Sequence, residues 1–367
     1  MAFSIEQILG YVPITAAVQK VVGGVPRVLP PGFYARPAGD QVLGDKANNI
    51  GYKGTRKAAR VAPYGAPPRQ IVQLPRDSTP VQLLHTIENL PFKQELLLQL
   101  RELNSYTVQR MAATEIKWQS ENAGLRQSNL ESTAVHLTIA NGKLWFDVDG
   151  NILPTSSGAD LVVDFGVPSD NIGQITPFGG AAIIDASWAT ASTKIVTHVR
   201  KIKKYAIQKT GYPLKYAIYG SNIPEYLGGN TNFQLYLARY PQYREAFIDG
   251  GEIMPGTLGL TWIDGQNAFF EDDGGTVQEI FGPDAVVFCP EVGDGAAWTI
   301  HEGSYPVPTS LAIMQNVEQL LENMKIVYGR GGFAMLNPPS QIIGTYFDTF
   351  LPRMKVPESF ILADVTP

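Results

Sequence analysis

The chain has 367 residues, enough for two compact domains or for one core with long extensions, and its charged residues are only 17%, against a usual value of roughly 25%. So low a charge suits a surface that neighbours enclose. A single cysteine, Cys289, excludes an intramolecular disulfide and a cysteine-based metal site. The sequence has no apolar run of about 18 residues and no basic-then-apolar opening, so a soluble, non-exported protein is expected.

The net charge of −5 is unevenly spread. Residues 1–80 carry ten Lys/Arg against four Asp/Glu, net +6, and the remainder nineteen against thirty, net −11. A basic arm on an acidic body could bind nucleic acid or the acidic body of another copy. The basic residues are interleaved with Gly, Pro and Tyr rather than packed in a run, which favours the second reading.

Residues 1–38 have weak periodicity and many breakers, among them Pro13, Gly23-Gly24, Pro26 and Pro30-Pro31-Gly32. Such a segment cannot bury enough of itself to fold alone and reads as an arm lying on something else. From Asp40 to Leu74 the chain is basic and broken by Gly and Pro, which fits a projecting hairpin. At ~3.3 Å per residue it could reach ~55 Å.

A long helix is expected from Phe92 to Ala123, with Pro91 in its first turn and Gly124 as its stop. Leu96, Leu100, Leu103, Thr107, Met111, Thr114 and Trp118 would mark its apolar face. Segments Thr133–Thr138 and Lys143–Val148 around Asn141-Gly142 read as a hairpin. Asp147-Val148-Asp149-Gly150-Asn151 looks like the start of a calcium loop, but Gly158 stands where a bidentate Glu is required, so a turn is the better reading.

A second helix is expected from Ala186 to Lys209, capped by Asp185, ended by Gly211 and lined by Trp188, Ser192, Ile195, Val199, Ile202 and Ala206. Lys201, Lys203, Lys204 and Lys209 gather near its end, where a solvated helix terminus is preferred over a DNA contact. A strand Leu214–Tyr219, a short helix Asn232–Arg239 and a β-rich stretch Thr257–Cys289 follow. The apolar run around Cys289 reads as a buried strand. A helix Leu311–Lys325 and strands Ile342–Phe350 and Ser359–Val365 complete the chain.

No catalytic constellation can be assembled, and no enzyme is expected. His85, His136, His198 and His301 are scattered, without metal-site spacing. There is no nucleophile elbow or phosphate loop, and Gly329-Arg330-Gly331-Gly332 lacks dinucleotide spacing and reads as a turn. Glu271-Asp272-Asp273 are adjacent on a turn and point into solvent. No cofactor or metal is implied.

Two blocks carry a family resemblance. The first is Gly259-Leu260-Thr261-Trp262, Phe269-Phe270, Asp272-Asp273-Gly274-Gly275 and Ile280 to Pro290. The second is the ending Tyr346–Val365 with Leu351-Pro352, Val356-Pro357 and Phe360 to Val365. Together with the order of elements, they resemble the major capsid protein E family, the lambda-like branch of tailed-bacteriophage capsid proteins.

The resemblance implies an α+β, Hong Kong 97-type major capsid fold. Residues 1–38 would be the N-terminal arm, 39–80 the extended β-hairpin loop and 81–185 a peripheral domain with a long spine helix. Residues 186–294 would form the axial domain, and 295–367 would return to the periphery; 293–345 depart from the family pattern. Such subunits form hexamers and pentamers of an icosahedral head around double-stranded DNA. The implied partners are other copies, a separate scaffolding protein, a portal and a decoration protein, with non-specific DNA contact and no membrane; the chain would assemble in the host cytoplasm. Lys53, Arg56, Lys57 and Arg60 are expected on the loop as contacts to a neighbour's carboxylates. The alternatives are a nanocompartment shell of the same fold enclosing a cargo enzyme, and a soluble α/β hydrolase with dispersed catalytic residues.

Overall fold

The computed structural model describes residues 9, 11–20, 26–37, 41–43, 46–52, 76–101, 106–240, 242, 244, 247, 253, 256–271, 276–292, 297–308, 324–337 and 341–366. The N-terminal segment forms helix α1 (Tyr11–Lys20), a 3-10 turn at Pro31–Tyr34 and strand β1 (Gln41–Val42). Strands β2 (Lys46–Tyr52) and β3 (Arg76–Gln82) follow, then β4 (Leu84–Pro91), α2 (Gln94–Arg101) and the spine helix α3 (Tyr106–Asn141). Next come β5 (Lys143–Phe146), β6 (Ile152–Leu153), β7 (Leu161–Asp164) and β8 (Ile172–Gly173). Helix α4 (Ile195–Thr210) leads to β9 (Leu214–Tyr219), α5 (Ile223–Gly229) and α6 (Thr231–Leu237). The rest is strand: β10 (Thr261–Asp264), β11 (Phe269–Glu271), β12 (Val277–Glu279), β13 (Ala285–Pro290) and β14 (Trp298–Pro308). Strands β15 (Met324–Tyr328), β16 (Gly331–Asn337), β17 (Gln341–Met354) and β18 (Ile361–Asp364) close the chain.

Two sheets organise these elements. The first runs β1-β14-β17-β16, with β15 added on β14 and β4 on β17; the second runs β10-β9-β13-β18-β8. Helix and sheet are segregated rather than alternating along a parallel sheet, so the class is α+β. A long helix packed on one sheet, a separate two-stranded hairpin and a second sheet flanked by shorter helices make up this mixed architecture.

The spine differs from its expected form. Helix α3 spans 36 residues, about 54 Å at 1.5 Å per residue, and passes straight through Gly124. Its buried side is Ala112, Ile116, Ser120 and Ala123, whereas Met111 and Trp118 of the expected stripe are 67% and 56% exposed. Between Ala112 and Ala123 this side is mostly small, with Ile116 its large apolar residue, so Met111 and Trp118 fell on the outer face, whereas Leu96 in α2 is buried as expected. Gly124 is a crossing point, where α1 lies across the spine.

The segment expected as a strand, Thr133–Thr138, is the last part of this helix, and every residue from Glu131 to Ile139 is buried. A helix end enclosed on all sides shows no amphipathic period, and its β-branched content then imitates a strand. Asn141-Gly142 is the helix stop: the Gly142 N–H donates to the Thr138 carbonyl at 2.9 Å and Gly142 takes φ +66°. The expected strand after it forms as β5.

Helix α4 begins at Ile195, not Ala186. Asp185 does not cap it but meets His198 Nε2 at 2.9 Å, and Trp188 folds back so that its indole N–H donates to His198 Nδ1 at 3.2 Å. Ile195, Val199, Ile202 and Ala206 are buried as expected, and Gly211 ends the helix with φ +83°. Strand β9 and helix α6 match their expected places, as do β17 and β18. The helix expected over Leu311–Lys325 lies mostly outside the described residues; Met324 and Lys325 open strand β15 instead.

Candidate functional site

The N-terminal segment is built into the fold. Leu9, Ile14 and Val18 pack with Phe92, Ile116, Ala123 and Tyr346, and Leu29, Phe33 and Tyr34 join the core that holds the end of the spine. Directional bonds fix the register. Thr15 Oγ1 donates to the Gly332 carbonyl at 2.9 Å, Gln19 Nε2 to that of Arg330 at 2.8 Å, and Trp298 Nε1 to that of Phe33 at 2.9 Å.

The junction of arm, spine and sheet is a buried ionic cluster. Arg36 Nη2 lies 2.8 Å from Glu131 and 3.2 Å from Asp348, while its Nη1 lies 3.3 Å from Glu302. Arg330 meets Glu131 at 2.7 Å and Asp348 at 3.0 Å, and Arg27 approaches Glu131 at 3.7 Å. Asp348 and Glu131 are almost fully buried. Burial disfavours the Arg36 charge, but Asp348 and Glu131 outweigh it and raise its pKa. Three guanidinium groups and three carboxylates thus neutralise one another across five segments far apart in sequence. Removing one partner would strand a charge in the interior.

Beside this cluster Tyr34 Oη lies 2.7 Å from His136 Nε2. Burial, with Arg27 nearby, lowers the His136 pKa to about 4, and burial raises that of Tyr34. His136 is therefore neutral at pH 7. Sequence reasoning missed the whole cluster, because Arg330 stood in a glycine-rich turn and Glu131 preceded an expected strand. One signal was available: Asp348 interrupts an apolar strand, and a buried carboxylate needs a cation.

Lys53, Arg56, Lys57 and Arg60 fall between β2 and β3, outside the described residues. The base of the hairpin is regular, pairing Lys46 with Gln82 through to Tyr52 with Arg76. These two strands form a sheet of their own, bonded to no other sheet among the described residues.

The remaining candidates have structural roles. Asp147 Oδ1 accepts from the N–H groups of Asp149 and Asn151 at 2.9 and 2.8 Å, closing the turn between β5 and β6. Lys203 donates to the carbonyls of Leu258 and Gly259, and Lys209 to Asn171 and Tyr205, so half of the lysine group is engaged within the fold. Cys289 is buried in β13. Asp272 to Gly275 lie outside the described residues, between the paired strands β11 and β12. Among the described residues no group of His, Cys, Asp and Glu could hold a metal ion, and no helix is long and apolar enough to cross a membrane.

No protein-family model matches the chain, and no curated protein matches it. Solved structures do resemble it. A phage-related protein from Bordetella bronchiseptica is 9% identical, with 97% of each chain covered and a TM-score of 0.47. A chain described as a prophage capsid protein from E. coli is 14% identical, covering 79% of this chain and 80% of its own, with a TM-score of 0.43. A virus-like particle from Pyrococcus furiosus is 10% identical, with 96% of each chain covered and a TM-score of 0.37.

Proposed function

We propose that this chain is a major capsid protein that self-assembles into hexamers and pentamers of an icosahedral phage head enclosing double-stranded DNA. The observation that carries the reading is the β2–β3 hairpin, two paired strands belonging to neither body sheet. A two-stranded hairpin is marginal in water by itself, so a chain that keeps one gains from a surface on another subunit. A shell of many copies needs large shared contact area, and a projecting hairpin supplies it.

On this reading residues 1–38 are the arm, 39–80 the extended loop, 81–185 and 295–367 the peripheral domain, and 186–294 the axial domain. Lys53, Arg56, Lys57 and Arg60 contact carboxylates of a neighbour. Scaffolding, portal and decoration proteins would join the shell, and DNA would be held by non-specific contact. Assembly would take place in the host cytoplasm.

The test is negative-stain electron microscopy of the purified protein, expressed with and without its neighbouring genes. Closed shells, or rings of five or six subunits, are expected, and shells from infected cells should contain double-stranded DNA. A uniform small oligomer under every condition would overturn the reading. Shells filled with an enzyme would transfer it to a nanocompartment.

A further inference from the structure

The small sheet at the C-terminal end of the spine helix presents an apolar face and an open edge. Strand β5 is central, with β6 on one side and β7 on the other. Leu144 and Phe146 of β5 point into the core, so Lys143 and Trp145 lie on the outer face. The register places Leu153, Trp145 and Val162 side by side across all three strands, an apolar row centred on a half-buried tryptophan. Val162 is 48% exposed on this face and Val148 at the β5–β6 turn 82%. Strand β7 pairs with β5 alone, so its other edge is open among the described residues. An apolar edge strand in water invites pairing with another chain.

The charge around this face selects the occupant. Residues 143–164 carry Asp147, Asp149, Asp160 and Asp164 against Lys143 alone, and Lys143 is held by Asp164 at 3.0 Å. Such a face repels DNA and favours a cationic segment that also has apolar residues. The 23 residues from Lys53 to Pro75 fit this description. They contain Lys53, Arg56, Lys57, Arg60 and Arg69, no Asp or Glu, and the apolar run Ile71-Val72 with Leu74.

We propose that the outer face of β6–β5–β7 and the open edge of β7 are the landing site for the 53–75 segment of a second copy of this chain. The assignment rests on the capsid reading above and names the surface that its loop contacts require. Apolar residues of the incoming segment cover the Leu153–Trp145–Val162 row, and its cations meet Asp149 and Asp160 at the rim.

A charge swap tests it. Arg56→Glu with Lys57→Glu, and separately Asp149→Lys with Asp160→Lys, are each expected to lower shell yield about tenfold while leaving the circular dichroism of the subunit unchanged. Combining all four substitutions should restore shells. If the loop pair blocks assembly but the sheet pair neither blocks nor rescues it, the landing site is elsewhere and the capsid reading stands. If the loop pair has no effect, the loop contact itself is wrong. A chain that forms no shells at all overturns both readings.

A second measurement is independent of charge. Chains carrying Val162→Cys are co-assembled with chains carrying Ile71→Cys, and a bismaleimide is added; the native Cys289 is buried and stays out of the reaction. A cross-linked dimer is expected in shells and can arise only between copies. Intact shells without that dimer overturn the assignment.

Discussion

Gly124 of the spine helix lies directly against the backbone of Val18 in the arm: a Cβ on Gly124 would stand 2.7 Å from the Val18 carbonyl oxygen. This is helix-on-helix packing at a distance that only a residue without a side chain allows. Within a solvent-exposed helix, Gly→Ala normally stabilises by roughly 0.5–1 kcal/mol. Here the sign reverses, because the obstacle is backbone and cannot rotate away. Gly124→Ala is expected to displace α1 from the spine, raising hydrogen exchange over Tyr11–Lys20 while the second sheet stays protected. Unchanged exchange in α1 would mean that the crossing tolerates a methyl group.

The ionic cluster makes a graded prediction. Arg330 is buried between Glu131 and Asp348, so Arg330→Ala leaves two carboxylates in the interior with one guanidinium fewer. A loss of about 3–5 kcal/mol is expected in urea unfolding of the isolated chain. Arg27→Ala removes a side chain that is 30% exposed and 3.7 Å from Glu131, and should cost within about 1 kcal/mol. Equal effects from the two would show that water screens the whole cluster.

How far the sequence revealed this molecule depends on what each element is buried against. Strands β9, β13, β17 and β18 were legible because their apolar runs face a core that is itself apolar. The spine was legible as a long helix, but neither its end nor its inner face was. Beside the apolar packing of Ile116 and Ala123, its contacts include Gly124 on Val18, Ser120 on the Tyr346 hydroxyl at 3.0 Å and Glu131 on two arginines, which are matters of close approach or polarity. No apolar period records such contacts. Of the ionic cluster only Asp348, a carboxylate inside an apolar strand, left a signal; its partners come from segments as far away as Arg27, and only folding brings their charges together. Lys53, Arg56, Lys57 and Arg60 lie outside the described residues.

Cys289 offers a probe of global unfolding. It is fully buried in the central strand β13, and desolvation raises its thiol pKa far above the ordinary value. A thiol held in that state is inert, because the thiolate is the nucleophile. Folded protein is therefore expected to resist a thiol-specific disulfide reagent, and labelling should appear only along the urea transition. Labelling well before the transition would reveal local opening between β13 and its neighbours β9 and β18.

The pH dependence of the protein's stability should carry a signature of His136. In the unfolded chain its imidazole titrates near ~6.5, while burial holds it at about 4 in the fold. The fold therefore prefers the neutral ring. The stability this represents is fully present above pH ~6.5 and is lost as the pH falls from ~6.5 through 4, by at most about 3 kcal/mol. His85 and His198 are also lowered by burial and act in the same direction, so the whole-protein slope is shared. The difference between wild type and His136→Gln isolates the one group: glutamine can still meet the Tyr34 hydroxyl but does not titrate. Urea midpoints of the two proteins should converge as the pH falls from 7 to 4. Parallel curves over that range would show that the imidazole titrates alike in the folded and unfolded chain, as it would if water reached it.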